Sequence, residues 1–346
     1  MKNKRKLFGN LILFLTIIFL TFYIIFKDQS ITDLAVLFMK AHKGYVLIAV
    51  ISMCLYFCCD AINIGTTLNM LGEKSKFIRN VRYSLIGFFF SSVTPAASGG
   101  QPMQIYYMTK YNISVANSTV AFLINLTCMQ IVTISTALVS LIFNYMYLNS
   151  LLIWFFILGI LLNSSALALL IISLYSKRMT DGLIRIFIKI LTFFKVKNIE
   201  EKKTKIENEL IKYQTGAKYM KNHKKAILKI LLITYVQFFL YYSISYWIYR
   251  ANGLNEHSII KIASIQAILY GTVSGIPSPG AVGVSEGGFI EIFKNIYPKE
   301  MINGAMLLSR GVNFYLFVVL SAIVVLIHTI RDKRENKVKI RDEDEM

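Results

Sequence analysis

The sequence predicts an all-α integral membrane protein with six full transmembrane helices and two re-entrant, Gly/Pro-broken hairpins in an inverted-repeat-like layout. Three observations lead to this fold class. The chain of 346 residues is 55% hydrophobic and has a mean hydropathy of +0.55. Apolar runs long enough to cross a bilayer recur along it, and they are continuous rather than alternating, as helical spans require. Basic residues concentrate between these runs.

The continuous apolar runs predict the six spans. The first follows MKNKRK, and it is too long for a signal peptide and lacks a small-residue cleavage site after it. The predicted spans are 7–26, 45–70, 115–143, 151–175, 226–249 and 303–330. We interpret residues 1–346 as one polytopic membrane domain.

Two further apolar segments, 83–109 and 258–296, are interrupted by proline and glycine. The first contains TPAASGGQP and the second contains PSPGAVGVSEGG. Proline and paired glycines break a helix, and the freed backbone groups are tolerated at membrane depth only where protein or a water-filled cavity surrounds them. We therefore predict two hairpins whose breaks line a cavity; surface loops are the alternative.

The charge distribution predicts the orientation of the chain. Segment 176–225 contains 14 Lys/Arg and 5 Asp/Glu, which favours the cytoplasm, as do the basic residues at both termini. This assignment holds only if 83–109 enters and leaves on the cytoplasmic side and 258–296 on the outer side. We expect a multi-pass plasma-membrane protein with a cytoplasmic N-terminus and a short cytoplasmic tail, 331–346.

Several function classes have no support in the sequence. The net charge of +19 is explained by the loops between spans, so no nucleic-acid partner is expected. The four cysteines lie in apolar runs without zinc or disulfide spacing. No HExxH, GxSxG or P-loop motif occurs, so we expect no catalytic residues, no metal and no cofactor.

TPAASGGQP, PSPGAVGVSEGG and an arginine in the last span together resemble one family. It is the transmembrane, flippase-type module of lysylphosphatidylglycerol synthases, the multiple peptide resistance factors. In those proteins a soluble C-terminal domain transfers an amino acid from tRNA to phosphatidylglycerol, and the membrane module moves the product outward. The resemblance implies a stand-alone form of the module, and we expect the chain alone to make no aminoacyl-phospholipid.

Charged residues within apolar segments are costly and are candidates for function. Asp60 and Arg82 resemble charged positions of the family module, while Glu286 and Arg310 lie in the second hairpin and the last span. They could bind a lipid phosphate and a cationic headgroup amine, or they could pair with one another to hold spans together. The predicted substrate-binding set is Asp60, Arg82, Pro95, Ser98, Gly99, Gly100, Gln101, Gln104, Pro279, Gly280, Gly283, Glu286, Gly287, Gly288 and Arg310.

These observations favour a lipid translocase that works by alternating access. Its substrate would be a phospholipid, an aminoacyl-phospholipid or a lipid-linked sugar. A membrane component of an aminoacyl-phospholipid synthase, or another membrane transferase, is the alternative, and a non-transporting scaffold is the third. The expected partners are membrane lipids. The sequence leaves open whether the protein also binds a soluble synthase and whether it forms a homo-oligomer.

Overall fold

The computed structural model describes residues 39–94, 97–175, 223–276 and 279–329, and the regular structure in these ranges is helical. The last helix contains a π-helical segment at Gly311–Tyr315. The helices are α1 Lys43–Met70, α2 Phe77–Val93, α3 Gly100–Thr109, α4 Val115–Asn144, α5 Ser150–Tyr175, α6 Lys224–Ala251, α7 Ile259–Val273, α8 Val284–Phe293 and α9 Ile302–Thr329.

Five of these helices, α1, α4, α5, α6 and α9, are long and apolar enough to cross a membrane. They correspond to five of the six predicted spans. The sixth, 7–26, lies outside the described residues, as do the tail 331–346 and most of segment 176–225. The all-helical membrane architecture therefore agrees with the prediction, and the sixth span stays a prediction.

Serine side chains fix the start of two helices. Ser114 accepts a hydrogen bond from the Asn117 backbone N–H at 3.1 Å, and Ser258 accepts one from the Lys261 N–H at 3.3 Å. Each satisfies a donor that the first helical turn leaves free. α4 and α7 thus begin where the local sequence supplies a cap.

Both interrupted segments fold back on themselves. In the first, the Gln104 amide of α3 donates to the Tyr83 carbonyl of α2 at 2.9 Å. In the second, Gly288 of α8 faces the side chains of Leu269 and Val273 of α7. α2 and α3 form the first hairpin, and α7 and α8 form the second.

The two hairpins share a backbone pattern at their breaks. Ala97 and Ala281 both have a φ of 53°, which is unusual for a residue with a side chain. Each alanine is followed by two turn residues and then by a helix of 10 residues, α3 or α8. The distance along the sequence from Ala97 to Ala281 therefore equals the distance from the first residue of α3 to the first residue of α8. Such a correspondence between two halves of a chain is typical of an internal repeat.

The helices that precede the hairpins, α1 and α6, pack against each other in antiparallel orientation. The His42 N–H before α1 donates to the carbonyl of Ala251, the last residue of α6, at 3.0 Å. Further along, the Asn63 amide of α1 donates to the Thr234 hydroxyl of α6 at 3.1 Å. The two halves of the chain therefore start from opposite ends of the bundle.

The ends of the bundle can be assigned from contacts near the helix ends. The first end holds His42, Ala251 and the hydrogen bond from Asn149 to Glu291 at 3.0 Å. The second end holds the hydrogen bond from Asn117 to Glu73 at 2.8 Å. The first hairpin begins and ends at the second end, and the second hairpin begins and ends at the first end.

Gly100→Ala should destabilise the protein, because α3 approaches α2 too closely for a side chain there. A Cβ at Gly100 would lie 2.6 Å from the Gly87 carbonyl oxygen. Because this oxygen belongs to the backbone of α2, it cannot move away easily. Overpacking of this kind typically costs about 1–3 kcal/mol. Gly287→Ala is the control, since a Cβ there meets nothing within 4 Å. Thermal unfolding in detergent should show a lower melting temperature for Gly100→Ala alone; equal values would contradict this packing.

Candidate functional site

A cavity of about 450 Å³ lies between the two hairpin breaks. The first break contributes Ala97 and Gly100 to its wall, and the second contributes Gly280 and Ala281. α1, α3, α4, α5, α6, α7 and α9 supply the rest of the lining described below. The broken backbone of both hairpins therefore faces one partly open cavity, in line with the cavity-lining role that the sequence predicts.

The structure brings some of the predicted site residues into this wall. Those that line the cavity are Asp60, Gly100, Gln101, Gln104, Gly280 and Arg310. Those that lie outside its lining are Arg82, Ser98, Gly99, Gly283, Glu286, Gly287 and Gly288. Pro279 belongs to the short 3-10 turn at the second break. Pro95 lies outside the described residues.

The residues of the first break mostly stabilise its own turn. The Gly99 N–H donates to the Thr94 hydroxyl at 2.8 Å, which ties the residue before α3 to the end of α2 across the break. The Gln104 amide is occupied by the Tyr83 carbonyl. Of the predicted glutamines, Gln101 is the one without such a bond between α2 and α3.

A buried ion pair joins the second hairpin to α9. Arg310 Nε donates to Glu286 Oε1 at 2.8 Å, and Arg310 Nη2 donates to the Gly280 carbonyl at 3.1 Å. Glu286 also accepts from the Tyr315 hydroxyl at 3.1 Å and from the Gly283 N–H at 2.6 Å. Both side chains are about nine-tenths buried. The Arg310 guanidinium further lies 4.3 Å from the Phe314 ring centroid.

Asp60, the second carboxylate, is placed differently. It lies on α1 in the wall of the cavity and accepts a hydrogen bond from the Ser84 hydroxyl of α2. No ion pair to Asp60 occurs among the residues that the structure describes. Glu286 thus has a cationic partner, whereas Asp60 lies in the cavity wall without one among the described residues.

An aromatic cluster that the sequence analysis did not single out lines the cavity beside Asp60. It consists of Tyr56, Phe238, Tyr241 and Tyr270. The ring centroids of Tyr56 and Tyr241 are 5.6 Å apart, and those of Tyr241 and Tyr270 are 5.5 Å apart. Tyr56 and Tyr241 lie in the interior of long apolar helices, and Tyr270 lies just before the second break. That distance from the ends of the spans was the signal available in the sequence. Tyrosines of an interfacial belt occur near the ends of a span.

α4 carries a polar residue at every third position from Thr127 to Thr136, and the roles of these residues differ. Gln130 and Thr133 line the cavity. Thr127 and Thr136 instead donate to carbonyls of their own helix, at 2.7 and 2.6 Å. One side of α4 therefore adds polar groups to the cavity opposite the hairpins.

Comparison with known proteins fits this architecture. The model of the lysylphosphatidylglycerol synthase TM region matches residues 9–321, which is most of the chain. The chain belongs to this family. The resemblance inferred from the two Gly/Pro motifs is thereby confirmed.

Similar proteins occur in archaea. A UPF0104 membrane protein of Archaeoglobus fulgidus is 21% identical over 310 residues, covering 85% of this chain and 89% of that protein. A UPF0104 membrane protein of Pyrococcus horikoshii is 22% identical over 306 residues, covering 84% and 89%. The similarity extends over both halves of the lysylphosphatidylglycerol synthase TM region and is not confined to its hairpin motifs.

Proposed function

We propose that this protein moves a lipid between the leaflets of the membrane by alternating access around the cavity. The observation that carries the proposal is the cavity itself, which is bounded by two broken hairpins that approach from opposite ends of the bundle. In transporters with inverted repeats, discontinuous helices of this kind form the substrate site. The family's name links its membrane region to a lipid product, which also supports a lipid substrate.

The lining suits the polar headgroup of a lipid. Asp60, Gln101, Gln130 and Thr133 contribute polar atoms. The outward faces of the spanning helices, in contrast, carry exposed leucine, isoleucine and phenylalanine, which suit contact with acyl chains. A lipid whose headgroup lies in the cavity and whose acyl chains lie in the bilayer would contact the polar lining and the apolar outer faces at the same time. In this proposal the hairpins are re-entrant and give access to the cavity from opposite leaflets.

Filling the cavity should block transport. Gln130→Trp places a large ring in the lining contributed by α4, whereas Val139→Trp places the same ring on an outward-facing position of that helix, which is 54% exposed. Purified protein in vesicles that contain a fluorescent phospholipid would be assayed by quenching of the outer-leaflet label. We expect Gln130→Trp to reduce the rate of label exchange to the protein-free level and Val139→Trp to retain it.

Two results would contradict the proposal. One is a wild-type protein that exchanges neither amine-bearing nor anionic phospholipids faster than protein-free vesicles. The other is equal exchange by the two tryptophan variants. Melting temperatures measured on the same samples separate a blocked cavity from an unfolded protein.

A further inference from the structure

We infer that Asn163 of α5 is a positioning residue for lipid movement, because it holds the broken end of α7 and, with it, the second hairpin. This inference rests on the proposed function and adds to it a residue that the sequence analysis did not single out. It follows from the hydrogen bonds of the Asn163 side chain, from the close approach of α5 to α7, and from the different ways in which the two hairpin breaks are held.

Asn163 is a buried polar residue near the middle of an apolar, lipid-facing helix. Its side chain is 2% exposed and lies in the wall of the cavity. The neighbouring Leu161 and Leu162 are 62% and 37% exposed, as expected of a helix that contacts acyl chains. A buried amide in an apolar bundle is costly unless its donors and its acceptor are used, and it commonly bonds to a second helix. The position of Asn163 therefore indicates a specific partner inside the protein.

The partners of Asn163 lie at the broken end of α7. Because α7 ends at Val273, the carbonyls of its last turn lose their helical donors. Asn163 Nδ2 donates to the Gly271 carbonyl at 3.2 Å and to the Ser274 hydroxyl at 3.1 Å. The Ser274 hydroxyl also donates to Asn163 Oδ1 at 3.3 Å, and Nδ2 contacts the Gly159 carbonyl of α5 itself at 2.9 Å. α5 thus supplies a cap to α7, and the amide of Asn163 is occupied within the protein.

Small residues let α5 come close enough to α7 for this short side chain to reach it. A Cβ at Gly159 of α5 would lie 2.4 Å from the Thr272 carbonyl oxygen. A Cβ at Gly275, just after α7, would lie 2.9 Å from the Cβ of Leu162. Larger side chains at these positions would push the helices apart and take Asn163 out of hydrogen-bonding range. Backbone packing and the amide therefore join α5 and the end of α7 into one unit.

The two hairpin breaks are held in different ways. In the first, the Gly99 N–H donates to the Thr94 hydroxyl, so the contact stays within the hairpin. In the second, Asn163 holds the residues before the break, and Arg310 holds the Gly280 carbonyl after it. Two other helices, α5 and α9, therefore fix the second break opposite the first. Discontinuous helices form the substrate site of inverted-repeat transporters, so a displaced break should slow lipid movement.

Hydrogen–deuterium exchange tests this contact without depending on transport. The Ser274 N–H donates to the Tyr270 carbonyl and the Ile276 N–H to the Val273 carbonyl, so these two amides report on the end of α7. Asn163→Leu keeps a similar side-chain volume and removes the amide. In detergent-solubilised full-length protein we expect both reporter amides to exchange on the order of tenfold faster in this variant, because the hydrogen bonds that hold the end of α7 are lost. Amides of the first hairpin should exchange as in the wild type.

Ser165→Leu is the matched control on the same helix. Ser165 is exposed and its hydroxyl donates to the Leu162 carbonyl of α5 itself, so deuterium exchange should stay as in the wild type. Ser274→Ala removes one partner of Asn163 and should give a smaller increase than Asn163→Leu. Added to Asn163→Leu it should cause no further increase, because the two changes remove the same contact. In the vesicle assay, lipid exchange should fall on the order of tenfold in Asn163→Leu, since the break is misplaced.

Faster deuterium exchange confined to residues 270–276, together with slower lipid exchange, supports the positioning role. A uniform increase across both hairpins would mean that Asn163 only stabilises the fold, and would overturn that role. Wild-type reporter amides that exchange as fast as the loop 252–258 would overturn the contact without any variant having to fold. A local increase in a protein whose wild type moves no lipid would refute the proposed translocation and leave the contact standing. Full lipid exchange by Asn163→Leu would refute the role in lipid movement alone.

Discussion

Arg310→Met should lower the free energy of unfolding by about 3–5 kcal/mol, because it leaves the Glu286 carboxylate charged and buried. In the native protein Arg310 donates to Glu286 at 2.8 Å and to the Gly280 carbonyl at 3.1 Å. One side chain therefore fixes both α8 and the break before it to α9. We expect a large fall in melting temperature in detergent and in vesicles alike.

Two matched variants show whether loss of the Arg310–Glu286 ion pair causes the fall in stability. Arg310→Met combined with Glu286→Gln removes both charges and should recover much of the lost stability, since no unpaired charge remains. Lys294→Met removes one partner of the exposed Lys294–Glu291 pair, whose side chains are 44% and 41% exposed. Exposed pairs contribute about 0–1 kcal/mol, so this control should unfold almost as the wild type does.

The same variants distinguish the two roles that the sequence left open for Arg310. An ion pair that only holds α8 to α9 predicts that the double variant regains lipid exchange as it regains stability. A phosphate-binding arginine predicts a stable double variant with no exchange. A stable Arg310→Met single variant would contradict the structural pair altogether.

Much of the architecture could be predicted because membrane spans are encoded by composition. A run of apolar residues of sufficient length has few alternatives in a bilayer, and five predicted spans coincide with helices to within a few residues. The hairpin breaks were equally visible, because proline and glycine act locally on the backbone. The pattern of helix, break and helix therefore followed from 83–109 and 258–296 without knowledge of their neighbours.

The composition of the cavity was harder to predict, because it depends on which faces of distant helices meet. Asp60 was identified by its charge, but nothing local indicated that Tyr241 and Tyr270 would approach it. Tyrosine also packs well in apolar interiors, so its occurrence in a span has little specificity. Likewise, Gly99, Gly283 and Gly288 were grouped with the site by motif, yet they shape the hairpins and do not line the cavity.

The largest qualitative effect is expected from the labelling of single cysteines at the mouths of the two hairpins. The chain has four native cysteines, and replacing Cys54, Cys58, Cys59 and Cys128 gives a cysteine-free background. Lys74→Cys and Lys110→Cys flank the first hairpin; Glu256→Cys and Asn295→Cys flank the second. All four positions are exposed. A membrane-impermeant maleimide would be applied to intact cells and to inverted vesicles.

We expect the first pair to react only in inverted vesicles and the second pair only in intact cells. The reason combines geometry with charge. Contacts near the helix ends place the mouths of the hairpins at opposite ends of the bundle, as the Asn117–Glu73 and Asn149–Glu291 hydrogen bonds show. α5 ends and α6 begins at the second end, and the chain between them is the basic segment 176–225, so we predict that this end faces the cytoplasm. If Lys74→Cys and Lys110→Cys reacted from different sides, residues 83–109 would cross the membrane, and the two hairpins could not give access to one cavity from opposite leaflets.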